Sequence, residues 1–269
     1  HDGLEQLDVS VLKLLYPVRY IDDIKANIDN ISILMVDDIR TDKITLRREI
    51  AESLERLERQ NYVARDGDNY AFLTDEEQDI AIDIRNTSVD SAAIVQSIGR
   101  TIFSGIYPSK KYKYNKYDFA YDQYIDETLV GTATGGVRLR FVTVASDYYN
   151  APDKRLITES QANNEAIVLL SSAVQYFEEL ETAAKIRKYI KLRNVAQLPE
   201  SVQEIIRKRQ AQARTLEESA KEQIGTAIVD GTFFICGEKT EIKYGDAKSK
   251  LDEALKQLID RVYSKLNYV

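Results

Sequence analysis

Nine cations fall within thirty residues of this chain: Lys185, Arg187, Lys188, Lys191 and Arg193, then Arg207, Lys208, Arg209 and Arg214. Only Glu200 and Glu204 oppose them inside that window. Cations at this density neutralise phosphates or dock on an acidic protein surface, and residue type alone does not choose between the two. A second set, Lys110-Lys111-Tyr112-Lys113-Tyr114-Asn115-Lys116-Tyr117, interleaves ammonium groups with rings. That pattern suits a platform for single-stranded nucleic acid. An edge strand kept soluble by lysine, with its tyrosines half-buried, is the reading we prefer. A third set, Lys43, Thr45, Arg47 and Arg48, opens a helical pattern and could reach phosphates and base edges. Glu49, Glu52, Glu55 and Glu58 share that pattern, and residues 1–75 carry ten basic against sixteen acidic side chains. DNA readers are normally basic, so protein docking is the stronger expectation for this third set.

Catalytic chemistry has little to work with. One histidine, His1, and one cysteine, Cys236, exclude an internal disulfide and a cysteine–histidine zinc site. Asp118, Asp122 and Asp126 form the only clustered carboxylates that a nucleic-acid-processing enzyme could use, and their spacing suggests a solvated turn. Ile33-Leu34-Met35-Val36-Asp37-Asp38 imitates the acidic strand of a nucleotide hydrolase, but no G-x-x-x-x-G-K-[ST] accompanies it. Gly131-Thr132-Ala133-Thr134-Gly135-Gly136 has no lysine and precedes a strand pattern, so it reads as a loop. The expectation is a chain without catalytic, cofactor-binding or metal-binding residues.

The elements that carry these groups follow from periodicity. Residues 8–20 form a helix capped by Asp8 and shortened or kinked at Pro17, and residues 27–36 form a second short one. Leu46, Ile50, Leu54 and Leu57 recur at helical spacing over 43–60. Two short strands then flank Asp66-Gly67-Asp68-Asn69, where glycine supplies the positive φ of a tight turn. Three helices and a hairpin predict a winged helix-turn-helix domain over 1–85. Thr74 caps a following helix. Residues 86–269 predict an α/β domain: a helix at 88–103, strands within 107–124, 137–144, 166–170 and 227–244, and a helix capped by Asp246 with Leu251, Leu255, Leu258, Val262 and Leu266 inward. Long helical patterns at 174–192 and 199–224 predict a projecting antiparallel hairpin, with Pro199 in the first turn of the second helix. The fold class is α+β, a winged helix followed by a small mixed sheet with packed helices.

With 269 residues, 43% hydrophobic and 30% charged, the chain is long enough for about two globular domains. It has no signal peptide and no apolar run approaching a membrane span, which together with its cysteine usage points to the cytoplasm. The start at His1 without methionine suggests a section of a longer polypeptide.

Several stretches resemble the BrxC family of BREX phage-defence P-loop proteins. They are Asp2-Gly3-Leu4-Glu5-Gln6-Leu7-Asp8-Val9-Ser10, Leu73-Thr74-Asp75-Glu76-Glu77-Gln78-Asp79-Ile80, Arg138-Leu139-Arg140-Phe141-Val142-Thr143-Val144, Lys185-Ile186-Arg187-Lys188-Tyr189 and Gly245-Asp246-Ala247-Lys248-Ser249-Lys250-Leu251. The likeness covers essentially the whole chain but only a middle section of a much longer protein. It implies a large AAA+ type ATPase that uses ATP and magnesium. That ATPase acts with a methyltransferase, a phosphatase-like protein and other BREX proteins to methylate host DNA and block phage. The family's nucleotide-binding residues have no counterparts here. The expected role is a coupling and assembly module whose partners are other BREX proteins, with double-stranded DNA a second candidate and no membrane or small-molecule ligand. A free-standing winged-helix DNA-binding regulator is the runner-up.

The purified 30.7 kDa chain should not hydrolyse ATP, because nothing in it can cradle a β/γ-phosphate. Phosphate release that co-migrates with this chain on a sizing column would overturn that expectation.

Overall fold

The computed structural model describes residues 4–21, 23–36, 42–172 and 175–263. Two compact units emerge, one of residues 1–87 with Pro199–Ile205, the other of Ser88–Leu198 with Ile206–Val269.

The first unit opens with α1 (Gln6–Val18), α2 (Ile28–Leu34) and α3 (Lys43–Arg59). The hairpin β1 (Val63–Asp66) and β2 (Asn69–Phe72) follows, then α4 (Asp75–Asn86). Leu54 and Leu57, one helical turn apart on α3, are buried with Val11, Leu15, Ile31, Ile50, Val63 and Tyr70. Gly67 sits at φ +58° in the hairpin turn, the conformation expected of it. Tyr70 N–H donates to Ala26 C=O, and Asn27 forms an isolated antiparallel bridge with Asn69. The segment before α2 is thereby drawn onto the hairpin.

Two ion-pair clusters lock this unit. Asp8 is not the cap of α1; Glu5 is, and Asp8 lies three residues on, its carboxylate accepting from Glu5 N–H at 3.0 Å. The same carboxylate, without exposure, accepts from Ser53 Oγ at 2.6 Å and from Arg56 Nη2 at 2.8 Å. Burial pushes Asp8 up, but the bonds from Arg56, Ser53 and Glu5 outweigh it and hold the carboxyl below its usual value. Thr74 caps α4 as expected, in a reciprocal box with Glu77. Glu77 also takes a bidentate fork from Arg19 at 2.7 and 3.0 Å, while Arg19 Nη1 donates to Phe72 C=O. Pro17 lies inside α1 one residue before its end, and the helix stops at Val18 rather than Tyr20.

The second unit is a mixed sheet with helices. Its elements are α5 (Ser91–Arg100), continued by a π-helical turn Thr101–Ile106, then β3 (Lys111–Tyr114), β4 (Tyr117–Ile125), β5 (Thr128–Val130) and β6 (Val137–Val142). After these come α6 (Asp153–Ala162), β7 (Glu165–Leu169), α7 (Tyr176–Lys191), α8 (Glu200–Val229), β8 (Thr232–Ile235), β9 (Glu238–Thr240) and α9 (Ala247–Val262). Among the described residues the strand order is β3-β4-β6-β7-β8-β9, with β5 also on β4. The middle three, β4, β6 and β7, run parallel, and the other pairings are antiparallel.

Alternation along β6 sorts the two faces. Val137, Leu139 and Phe141 enter the main core with α5, α8 and α9, whereas Val142 joins Leu156, Ile167 and Phe234 on the face that α6 covers. Gly99 lets α5 press against the sheet, since a Cβ there would meet Ile125 at 3.0 Å.

Several sequence expectations need correction. The helix placed at 199–224 continues to Val229, because Ala227 and Ile228 extend its buried stripe, so the strands expected from residue 227 begin at Thr232. Helix α6 carried no apolar stripe to reveal it; only Leu156 and Ser160 are buried. Asp246 caps α9 through Ser249 N–H as expected, and Leu251, Leu255 and Leu258 are inward. The expectations placed on Val174, Leu266 and Asp37-Asp38 lie outside the described residues.

Leu54 has no exposure, so Leu54→Asp would bury a charge with no cation at hand, costing several kcal/mol. Cooperative unfolding of the first unit, followed by hydrogen exchange of α1 and α3 amides, should be lost, while the sheet amides of the second unit stay protected.

Candidate interaction surfaces

On α3 the cations at the N-terminal end are exposed, but two are engaged. Arg47 bridges to Asp29 at 2.7 Å and Arg48 approaches Glu52 at 3.9 Å. Lys43 is exposed, and beside it Ile44 is 82% exposed. Glu49, Glu52, Glu55 and Glu58 are all exposed on the same helix. The surface a DNA reader would present is therefore of mixed charge with an apolar side chain near its start.

Lys111 and Lys113 stand on β3, the edge strand, and point to solvent, while Tyr112 and Tyr114 turn inward and half-bury. Tyr114 Oη donates to Asp260 on α9 at 2.5 Å. With both rings turned inward and the Tyr114 hydroxyl engaged, the strand presents lysines along a sheet edge.

The basic pair of helices is less positive than its window of sequence implies. Lys185 meets Glu181 at 2.8 Å and Arg187 forms a fork on Glu217 at 2.8 and 3.0 Å, so carboxylates just outside residues 185–214 supply the compensation that seemed absent. The Arg187 fork and Ser219 Oγ on Glu179 at 3.1 Å join α7 to α8. Lys188 Nζ donates to Ser88 C=O at 2.8 Å. Arg193, just beyond α7, lies over that helix's Tyr189 ring at 3.5 Å, and Arg209 Nη1 donates to Gln212 at 2.9 Å. Lys191, Arg207, Lys208 and Arg214 are exposed. Arg100, near the end of α5, belongs with Lys188 and Lys191, since all three line one groove. The sequence pattern hid it among core positions.

The aspartates are not a solvated turn. Asp122 and Asp126 are buried; Asp122 ties down the loop that leads into β6, and Asp126 the one that leaves it. Asp122 accepts from Thr134 Oγ1 at 2.7 Å and from Thr134 N–H, and Asp126 accepts from Thr143 N–H at 2.7 Å and Thr143 Oγ1 at 2.8 Å. Asp118 shares neither role. Among the described residues no group of three His, Cys, Asp or Glu side chains could hold a metal.

Residues 87–258 match the family model described as the BREX ATP-binding protein BrxC 4th domain with six-stranded beta sheet. The match spans well over half of the chain. The chain belongs to the BrxC family. The six strands that follow one another from β3 to β9 in this sheet, with β5 attached beside them, agree with the description of that BrxC domain. No solved structure matches the chain. Among the described residues no helix is long and apolar enough to cross a membrane.

A BrxC ATP-binding protein must hold phosphate somewhere, and the glycine-rich loop Gly131–Gly136 is the segment of this chain most like a phosphate cradle. Gly131 and Gly135 have positive φ, but the loop runs from β5 into β6, so a strand and not a helix N-terminus follows it. Thr134, whose amide and hydroxyl would have to meet a phosphate, already serves the Asp122 carboxylate. The residues of this loop do not fit a nucleotide phosphate.

Burial pushes Asp126 above the usual carboxyl value, against the pull of its bonds from Thr143. Its folded-state value stands above the unfolded one near ~3.9, so its stabilising contribution is complete below about pH 4 and falls away as pH rises through the folded value. Asp126→Asn, which cannot ionise, should flatten that pH dependence in thermal melts. Asp126→Ala should instead cost about 1–3 kcal/mol at every pH, because Thr143 N–H loses its acceptor.

Proposed function

We propose that this BrxC-family chain is a non-catalytic coupling and assembly module of a bacterial anti-phage BREX ATPase, working by contact with partner proteins in the cytoplasm. Family membership supplies the BREX setting, and the α3 surface carries the rest. A helix reading DNA needs a cationic, hydrated face. This one exposes Ile44 beside four glutamates and pairs Arg47 with Asp29. Ile33, 70% exposed, and Leu34 add apolar surface at the end of α2. Apolar side chains left in water beside mixed charge suit a protein partner.

We read residues 1–85 as a winged helix-turn-helix domain. The support is the order of α1, α2, α3 and hairpin, with the segment before α2 bridged to β2 as a third, minimal strand. Residues 86–269 we read as the α/β domain, with α7 and α8 as its helical pair. The winged helix is used for docking rather than base reading. The chain holds no nucleotide; ATP and magnesium belong elsewhere in the longer protein. Double-stranded DNA stays a second candidate for the α7–α8 surface alone, favoured by exposed Arg207 and Arg214. A free-standing regulator would need the basic recognition face that α3 lacks.

Immobilised chain should capture other BREX proteins from cells that express the system, and Ile44→Glu should weaken that capture about tenfold without moving the melting curve. Capture unchanged by Ile44→Glu would remove α3 from the interface. If duplex DNA binds as well, its affinity should fall with salt by a slope of roughly −0.9 per phosphate neutralised. Arg207→Glu with Lys208→Glu should abolish it. Loss on Arg47→Glu with Arg48→Glu instead would return DNA recognition to the winged helix.

A further inference from the structure

Along the seam of α5 and α7 runs an open groove of ≈ 840 Å³. Its floor is apolar: Ile94 from one helix, Leu180 and Ala183 from the other, all buried. The walls are small side chains, Ala93, Ser97 and Ala184, which leave room for an incoming backbone. Leu192, 70% exposed, extends the apolar surface at one end. The rim is cationic, with Arg100 on α5 and Arg187, Lys188 and Lys191 on α7. Glu217 is the one carboxylate in the lining, and the Arg187 fork neutralises it. Lys188 is directed to Ser88 C=O. Arg100 and Lys191 have no carboxylate partner among the described residues, so two full positive charges border an apolar trough.

We propose that this groove docks an acidic amphipathic segment of a partner protein. Leucine-type side chains would seat on the Ile94–Leu180 floor, and flanking carboxylates would meet Arg100 and Lys191. The inference rests on the protein-docking reading above and assigns it a second surface. Charge complementarity selects an acidic occupant, and the floor selects against nucleic acid. Phosphates gain nothing from covering alanine and leucine, and no aromatic ring lines the groove for a base to stack on. An apolar anchor in a trough bordered by the two cations Arg100 and Lys191 matches the way amphipathic helices enter grooves, with i, i+3, i+4 and i+7 side chains down and charges at the rim.

The probe is a fluorescein-labelled helical peptide of about 20 residues with leucines at that spacing and flanking glutamates, titrated with the full chain by fluorescence anisotropy. Binding should be saturable. It should weaken about tenfold or more when the peptide's leucines become serine, when its glutamates become glutamine, or when the chain carries Arg100→Glu with Lys191→Glu. Leu192→Ser, at an exposed position, gives a second variant whose fold is not at stake. Peptide affinity unchanged in both variants, equal binding of the serine peptide, or no binding at all would overturn the proposal. So would a single-stranded oligonucleotide that displaces the peptide and is itself lost on the charge reversals. Continued capture of other BREX proteins alongside a failed peptide assay would sink this groove while leaving the assembly role intact.

Discussion

Glu165 begins the central strand β7 with no exposure at all, and the sheet must accommodate its carboxylate. Arg140 on the neighbouring strand answers it, Nε to Oε2 at 3.0 Å, with its guanidinium within 6 Å of both the Tyr124 and Tyr148 rings. The Nε contact lies off the hydrogen-bonding direction, so the pair is held by charge and stacking more than by a directed bond. Burial pushes the Glu165 carboxyl up, and the opposing pull comes from Arg140, Arg138 and Asn163. A buried pair of this kind contributes little net stability, yet removing one partner strands the other at a cost of about 3–5 kcal/mol. What it supplies is register. In the parallel pairing of β6 with β7, Arg138 stands opposite Glu165 and Arg140 two residues on, opposite Ile167; a slip of one residue would turn Arg140 into the apolar core and Leu139 toward α6.

That register propagates through the loops. With β6 fixed, Thr143 falls where Asp126 can take its amide and hydroxyl, and Thr134 falls where Asp122 can take the other loop. Parallel strands need long crossovers, and crossovers are the segments most free to wander. Two buried aspartates anchor them from one strand, β4 and the residue just beyond it. The face opposite the main core has only a thin apolar layer of Val142, Leu156, Ile167 and Phe234. Arg155 over Tyr148 at 4.3 Å thickens it with cation–π contact. The buried Asp122 and Asp126 carboxylates are taken up by Thr134 and Thr143, and so hold the loops in place.

Much of the fold was legible because helical spacing and caps are local signals. Leu54 and Leu57 defined α3, Thr74 and Asp246 marked two starts, and Val137-Leu139-Phe141 marked β6. Signals failed where partners are distant in sequence. Nothing near Asp122 announces Thr134, and nothing local in α6 announces that its one leucine is buried. The aspartates at a spacing of four looked solvated because a strand period leaves every second residue on one face, whatever covers that face. Asp8 looked like a cap because it opens the apolar pattern; its bonds to Ser53 and Arg56, 45 and 48 residues away, could not be seen from there.

Charge shows the same limit more sharply, and it decides how the candidate surfaces should be weighed. A count over residues 185–214 treats nine cations as one field, whereas a field at a surface depends on what each cation faces. Arg187 and Lys185 face carboxylates that the window excludes. Arg193 lies on a ring, which leaves its charge but turns its direction. Conversely Arg100, almost ninety residues away in sequence, shares a groove with Lys188 and Lys191 and adds to them. Pairing thins the broad basic stripe, and folding concentrates unpaired charge at a smaller place that also has an apolar floor. A broad, hydrated stripe would suit a polyanion that reads only charge. A short cationic rim around alanine and leucine complements a partner that brings both carboxylates and apolar side chains.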